Sequence, residues 1–174
     1  MKIFLLVRSS DPNIYEEICG ICRNVRGMVG IQNIPVHVNL PESAFDLSEY
    51  DYAISFAITS TDGINVSYKN VDLGKLITEE ISNLGIAVIS KEESELDVDC
   101  SLTLPLNLIH NTSKWLRQKK KIAEAVATAI LLYLQKPLPD ELIIPKLRIE
   151  NTELKARLRD AEDALLTLMF GGVN

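Results

Sequence analysis

Two hydrophobic patterns alternate along the chain: short unbroken apolar runs, and stripes recurring at helical spacing. Lys2 to Val7 is the first run and reads as a buried strand. Arg8 to Ser10 turns the chain, after which Asp11 supplies an N-cap and Pro12 a first helical residue. Ile14, Ile18, Ile21, Cys22 and Val25 then recur on one face of a helix to Arg26, which Gly27 and Gly30 end. Ile34 to Leu40 reads as a second strand, with Pro35 near its start, where a missing N–H is tolerated. Pro41 to Tyr50 is a polar, acidic loop or short helical turn. Tyr52 to Thr59 is apolar enough for a central strand, and Thr61, Asp62 and Gly63 turn it into a second run, Ile64 to Tyr68. Val71 to Leu84 has helical spacing through Leu73, Leu76, Ile77 and Ile81, with Gly85 as its stop. Ile86 to Ile89 reads as another buried strand, Lys91 to Asp99 as a carboxylate-rich solvated loop, and Cys100 to Ile109 as a strand around Pro105. Asn111 to Ser113 caps the longest helix of the domain, whose Trp115, Ile122, Val126, Ala129, Ile130 and Tyr133 face inward and which Pro137 and Pro139 end. Strands alternating with helices predict an α/β fold, a mostly parallel sheet covered by helices on both faces.

The last part of the chain changes period. Leu147, Asn151, Leu154, Leu158, Ala161, Leu165 and Leu168 follow one another at alternating spacings of four and three, the seam of a coiled coil. Glu150 stands opposite Lys155, and Arg157 opposite Glu162, in the relation that bridges two parallel strands, with opposite signs both times. Asn151 on the seam costs stability and fixes register. The organisation predicted is therefore an α/β domain over 1–136, a stiff linker over 137–144 and an oligomerisation helix over 145–170, with Pro145 in its first turn. Leu at the a positions and Ala161 at a d position leave dimer and trimer both open. The competing account of the stripe is an amphipathic helix folded back on its own domain. Leu166, Met169, Phe170, Gly171 and Gly172 form an apolar end with a helix stop.

Composition narrows the function. A chain of 174 residues, 47% hydrophobic and 24% charged, buries one good core and carries an appendage. Its net charge of -6 disfavours general nucleic-acid binding. The longest apolar run, Ala125 to Leu134, is about half of what a bilayer span needs, so no membrane span is expected. Met1 opens directly into strand-like sequence without the pattern of a signal peptide, so cytoplasmic synthesis is expected. Cys19 and Cys22 form a C-x-x-C inside a predicted helix rather than at a helix start, which places them in the core beside Ile18 and Val25 rather than in a redox site.

Three stretches in order resemble the zinc-dependent N-acetylmuramoyl-L-alanine amidase family. Ile54-Ser55-Phe56-Ala57-Ile58-Thr59 is similar to the family strand I-S-I-H-A-N, and Gly63-Ile64-Asn65-Val66-Ser67-Tyr68 to the G-V-E-V-Y-Y that follows. Lys121-Ile122-Ala123-Glu124-Ala125-Val126 resembles the family's final helix. The resemblance implies an α/β fold and a peptidoglycan ligand. The family's zinc residues are replaced here. Ala57 stands where the strand histidine belongs, Arg8-Ser9-Ser10 where the first histidine's turn belongs, and Pro105 where the catalytic glutamate precedes a stretch resembling Leu106 to Asn111. Zinc hydrolysis needs about three ligands and a base, so the expectation is a pseudo-amidase with no catalytic or metal residues and no cofactor. The tail also resembles the small leucine-rich coils of phage structural proteins, which implies a phage or prophage origin and association with a virion.

Few other residues offer chemistry. An active amidase with displaced ligands would have to draw on His37 and His110, with Glu42 or Asp46 beside them. Ser9 and Ser10 end the first strand, a place where α/β proteins bind ligands, but they lack a base or a glycine-rich cradle. Lys114, Arg117, Lys119, Lys120 and Lys121 interleave with Trp115, so Lys114, Trp115 and Arg117 are the candidate ligand-binding residues for an anionic polymer; the same cations also suit a solvated helix face. The expected function is a non-catalytic amidase-like part of a phage particle or lysis machinery, binding peptidoglycan or a phage structural protein. An active enzyme and a cytosolic scaffold are the alternatives.

Overall fold

A computed structural model describes residues 1–39, 46–110 and 112–170; of residues 112, 113, 141, 145, 146, 148, 149, 163 and 166–170 it describes the backbone alone. The chain divides into two compact units, Met1–Pro137 and Leu138–Asn174. The first holds a six-stranded sheet in the order β2-β1-β3-β6-β4-β5. The strands are β1 (Ile3–Val7), β2 (Val36–Val38), β3 (Tyr52–Thr59), β4 (Ile64–Tyr68), β5 (Val88–Glu92) and β6 (Cys100–Pro105). Every pairing is parallel except that of β4 with β6. The short turn after β3 carries the chain past β6, which fills the gap between β3 and β4.

Helices α1 (Pro12–Gly30), α2 (Val71–Ser82), α3 (Leu106–His110) and α4 (Thr112–Tyr133) complete this unit. Helix α4 packs against α1 on one side and α2 on the other, forming a single layer. Ile3, Tyr52 and Ile54 meet Leu73, Ile130 and Tyr133 on that side of the sheet. Alternation along the strands puts Leu5, Phe56, Leu102 and Val66 on the same face, all buried. Each contributes about 1.5–3 kcal/mol by leaving water. The opposite face, where the sequence pattern also placed helices, is covered differently among the described residues. Phe4, Leu6 and Ala53 pack there with Val98, Leu47 and Tyr50, from a 3-10 turn (Leu47–Glu49) and the loop before β6.

Several boundaries depart from the pattern for identifiable reasons. Helix α1 continues past Gly27 to Gly30 because Val25 and Val29 are both fully buried on its inner face. Strand β2 is only three residues long, yet its pairing is extended: Ile3 N–H donates to the Pro35 carbonyl at 2.9 Å, which needs nothing from the proline nitrogen. Strand β5 starts later than expected and lies on an edge, with Ile89 60% exposed. Strand β6 ends at Pro105, and Leu106–His110 is helical rather than extended. Gly63 has φ +85°, and a Cβ there would lie 2.8 Å from the Ala87 carbonyl oxygen, so the turn into β4 requires glycine. Asn111, the expected cap of α4, lies outside the described residues.

The second unit is dominated by α5 (Asp140–Phe170), 31 residues long. It begins at Asp140, inside the stretch expected to be linker, so Pro145 falls in the second turn. Among the described residues no helix is long and apolar enough to cross a membrane.

Candidate functional site

The parallel run of β1, β3 and β6 brings Arg8, Ala57 and Pro105 to three adjacent strands. Val7 pairs with Phe56, and Thr59 with Pro105, so the carboxyl ends of these adjacent strands form one edge. Ligands commonly bind at such an edge in α/β proteins. Here its first element is committed to structure. Arg8 N–H donates to the Phe56 carbonyl at 2.8 Å, and Asp11 N–H to Ser9 Oγ at 3.2 Å. The Asp11 carboxylate accepts from the N–H groups of Asn13 and Ile14, at 2.8 and 3.3 Å, and so caps α1. The Arg8 guanidinium is paired with the Asp97 carboxylate. Asn39 reinforces the same end: its Oδ1 accepts from Val7 N–H at 2.7 Å, and its Nδ2 donates to the Val7 carbonyl at 3.3 Å. Tyr15 OH donates to the Asn39 carbonyl at 2.5 Å, and burial raises the Tyr15 pKa.

On the sheet face away from the helix layer, Ala57, Thr103, Asn65 and Ile89 form one row across four strands, and Ser55, Ser101, Ser67 and Lys91 the next. Ser55 Oγ donates to Ser101 Oγ at 2.8 Å. These side chains are mostly small or neutral, and no group of three His, Cys, Asp or Glu that could hold a metal occurs among the described residues. Beyond the edge, Asn107 Nδ2 donates to Asp62 Oδ1 at 3.0 Å, and Asn65 Nδ2 to Thr61 Oγ1 at 2.9 Å. This network, which ties the turn after β3 to α3 and β4, was not anticipated from the sequence; amide and carboxylate residues just past strand ends were its one signal.

His37 and His110 are not brought together by the sheet. His37 lies on β2 with its Nδ1 3.3 Å from Tyr50 OH, whereas His110 ends α3, beyond β6. Strands β2 and β6 are three places apart in the sheet, about 14 Å. Glu42 lies outside the described residues, and Asp46 caps the 3-10 turn by accepting from Ser48 N–H at 2.9 Å.

The three candidate binding residues on α4 part company. Lys114 and Arg117 are exposed, but Trp115 is 2% exposed and presents no face for stacking. Its Nε1 donates to Glu17 Oε2 at 2.7 Å, and Lys119 Nζ donates to the same oxygen at 2.8 Å. These two bonds, Lys119 first, hold the Glu17 carboxyl below its usual range. Gly20 makes room for Lys119, since a Cβ there would lie 2.3 Å from Lys119 Cε. Trp115 thus joins α4 to α1. Cys19 and Cys22 line the core as expected, and burial raises both thiols.

A row of exposed apolar side chains lies along the helix of the second unit. Leu147, Leu154, Leu158 and Leu165 are 54%, 63%, 59% and 59% exposed, and Asn151 and Ala161 between them are exposed as well. The Leu168 side chain, and Gly171 and Gly172 after it, lie outside the described residues.

No protein-family model matches the chain, and no curated protein matches it. A solved structure described as a bacteriophage poly-gamma-glutamate hydrolase is similar at 14% identity with a TM-score of 0.53, over 77% of this chain and 85% of that one. What the chain shares with that phage hydrolase is its α/β fold.

Proposed function

We propose that the chain is a non-catalytic relative of the hydrolase-type fold, gathered into a homo-oligomer by α5, and that it serves as a structural or polymer-binding part of a phage or prophage assembly. The observation that carries this reading is the exposed leucine stripe. Four leucines, each more than half exposed on one helical face, form a patch that a chain without a partner has reason to avoid. The lack of catalysis rests on residue types at the strand edge. Arg8 brings a paired cation, Ala57 a methyl group and Pro105 a ring, and none of these binds zinc or activates water.

The amidases that the sequence resembles act on peptidoglycan, and the structural neighbour is described as acting on poly-gamma-glutamate. Both are polymers carrying carboxylates. A domain that keeps the fold without the ligands retains a means of holding such a polymer uncut, and the exposed cations Lys114 and Arg117 suit that role without Trp115.

Light scattering on the full chain tests the assembly. The mass should be a multiple of the 19.4 kDa of one chain, and should fall to 19.4 kDa in the double variant Leu154→Asp, Leu158→Asp. A full chain that stays at one-chain mass at tens of micromolar would refute the reading.

A further inference from the structure

The start of α5 at Asp140 adds a residue to the seam. Counting back from Leu147 by three reaches Ile144, which is 49% exposed, like the leucines that follow it. The stripe now runs Ile144, Leu147, Asn151, Leu154, Leu158, Ala161, Leu165, Leu168. Its a positions are Ile144, Asn151, Leu158 and Leu165, and its d positions Leu147, Leu154, Ala161 and Leu168. Pro145 falls at b, outside the a and d positions of the seam.

Two features of this register bear on the number and direction of strands. Ile144 at a followed by Leu147 at d is the combination that favours two strands, Leu158 and Leu165 at a are neutral, and isoleucine at d, which favours three or four strands, occurs at no d position. In a parallel coil a faces a, so the two Asn151 amides meet and satisfy one another. In an antiparallel coil a faces d, and every d residue is leucine or alanine, so any such register strands Asn151 against an apolar side chain. The charges agree with the parallel arrangement, in which Glu150 meets Lys155 of the other copy and Arg157 meets its Glu162.

We infer that the partner of α5 is one second copy of this chain, in a parallel two-stranded coil from Ile144 to Leu168 whose register is set by the paired Asn151 amides. The inference rests on the self-association proposed above and fixes its number and direction. The coil is about 37 Å long at 1.5 Å per residue, and it brings both α/β domains to the same end.

Sedimentation equilibrium of the full chain, with oxidative cross-linking of a Leu147→Cys variant, tests it. The native cysteines are buried, so the introduced thiol alone is available, and only a parallel coil sets it against its own copy. The expected results are twice the 19.4 kDa of one chain and near-complete cross-linking to a dimer. Replacing the polar layer by Asn151→Leu should give mixed, higher masses. A three-chain mass, or an associated Leu147→Cys variant that does not cross-link, overturns the two-stranded parallel assignment while leaving self-association intact. An Asn151→Leu variant that remains a uniform dimer overturns the role given to Asn151. A one-chain mass overturns both the inference and the reading on which it rests.

Discussion

Removing the Asn39 side chain should loosen the end of β1 by an amount that the hydrogen bonds allow to be worked out. Asn39 is 8% exposed, and its amide behaves as a surrogate peptide, accepting from Val7 N–H at 2.7 Å and donating to the Val7 carbonyl at 3.3 Å. It thereby continues the β1–β2 pairing where β2 has run out of ladder. Asn39→Leu removes both bonds and leaves the Val7 N–H and C=O without partners in a buried place. An unsatisfied buried group costs about 1–3 kcal/mol, so the pair should cost about 2–6 kcal/mol. Urea unfolding followed by the fluorescence of the single, buried Trp115 reads this directly. With a slope of about 2 kcal/mol/M, the midpoint should fall by about 1–3 M. Protein concentration must be held fixed, since association adds to apparent stability. Asn39→Asp supplies a sharper test. A carboxylate can accept from Val7 N–H but repels the Val7 carbonyl, whereas the protonated acid can donate to it. The folded pKa of this aspartate should therefore lie above its unfolded value, so the variant recovers stability as pH falls through the folded pKa. Glu16→Ala is the control, because the Arg23–Glu16 pair is 63% exposed on both sides and should contribute under about 1 kcal/mol. If Asn39→Leu shifts the midpoint no more than the control does, the surrogate-peptide account is wrong.

Three further outcomes follow from the packing. The Glu17 carboxyl has a lowered folded pKa, so its contribution is fully present above the ordinary glutamate value of about 4.3 and is lost as pH falls through the lowered one. Glu17→Gln should flatten the acid limb of a stability–pH curve by under about 1 kcal/mol, since Glu17 is 43% exposed, and an unchanged limb would deny the link to Lys119. Burial pushes the Cys100 thiol up to about 12 and raises Cys22 as well, so native protein at pH 8 should react with a thiol reagent only as fast as it unfolds; rapid labelling of all three cysteines would contradict their burial. Gly74→Ala places a Cβ 2.1 Å from Tyr68 Cγ and should destabilise by about 1–3 kcal/mol in thermal or urea unfolding, more than Gly20→Ala, whose clash is with the flexible end of Lys119.

The parts of the fold that the sequence made legible are those specified locally. Asp11 followed by Pro12 marks the start of α1 by hydrogen-bond and φ requirements that no distant residue alters. The run from Tyr52 to Thr59 matches β3 residue for residue because a central strand, with neighbours on both sides, carries few polar side chains. What failed depends on distant neighbours. Ile86 to Ile89 reads as buried, yet whether a short apolar run lies in the centre or on an edge is decided by strand order, which the run does not encode. Leu106 to His110 fits a strand or a helix equally well by periodicity, and Pro105, having no N–H for the ladder, tips it towards a helix. Trp115 among cations resembles a binding platform, but its fate is set by Glu17, 98 residues earlier. At the strand edge the amidase resemblance pointed to Arg8, Ala57 and Pro105 one at a time; that β1, β3 and β6 are adjacent strands is read only from the sheet register.

Incubation of the full chain with insoluble peptidoglycan and zinc, followed by assay of the supernatant for released stem peptide, tests the central claim most directly. The account predicts retention of the protein in the pellet with no release above the level of peptidoglycan and zinc incubated without protein. Catalytic release that is lost on substitution of His37 or His110 would contradict it, because those residues would then be ligands that the arrangement of β2 and α3 gives no reason to expect.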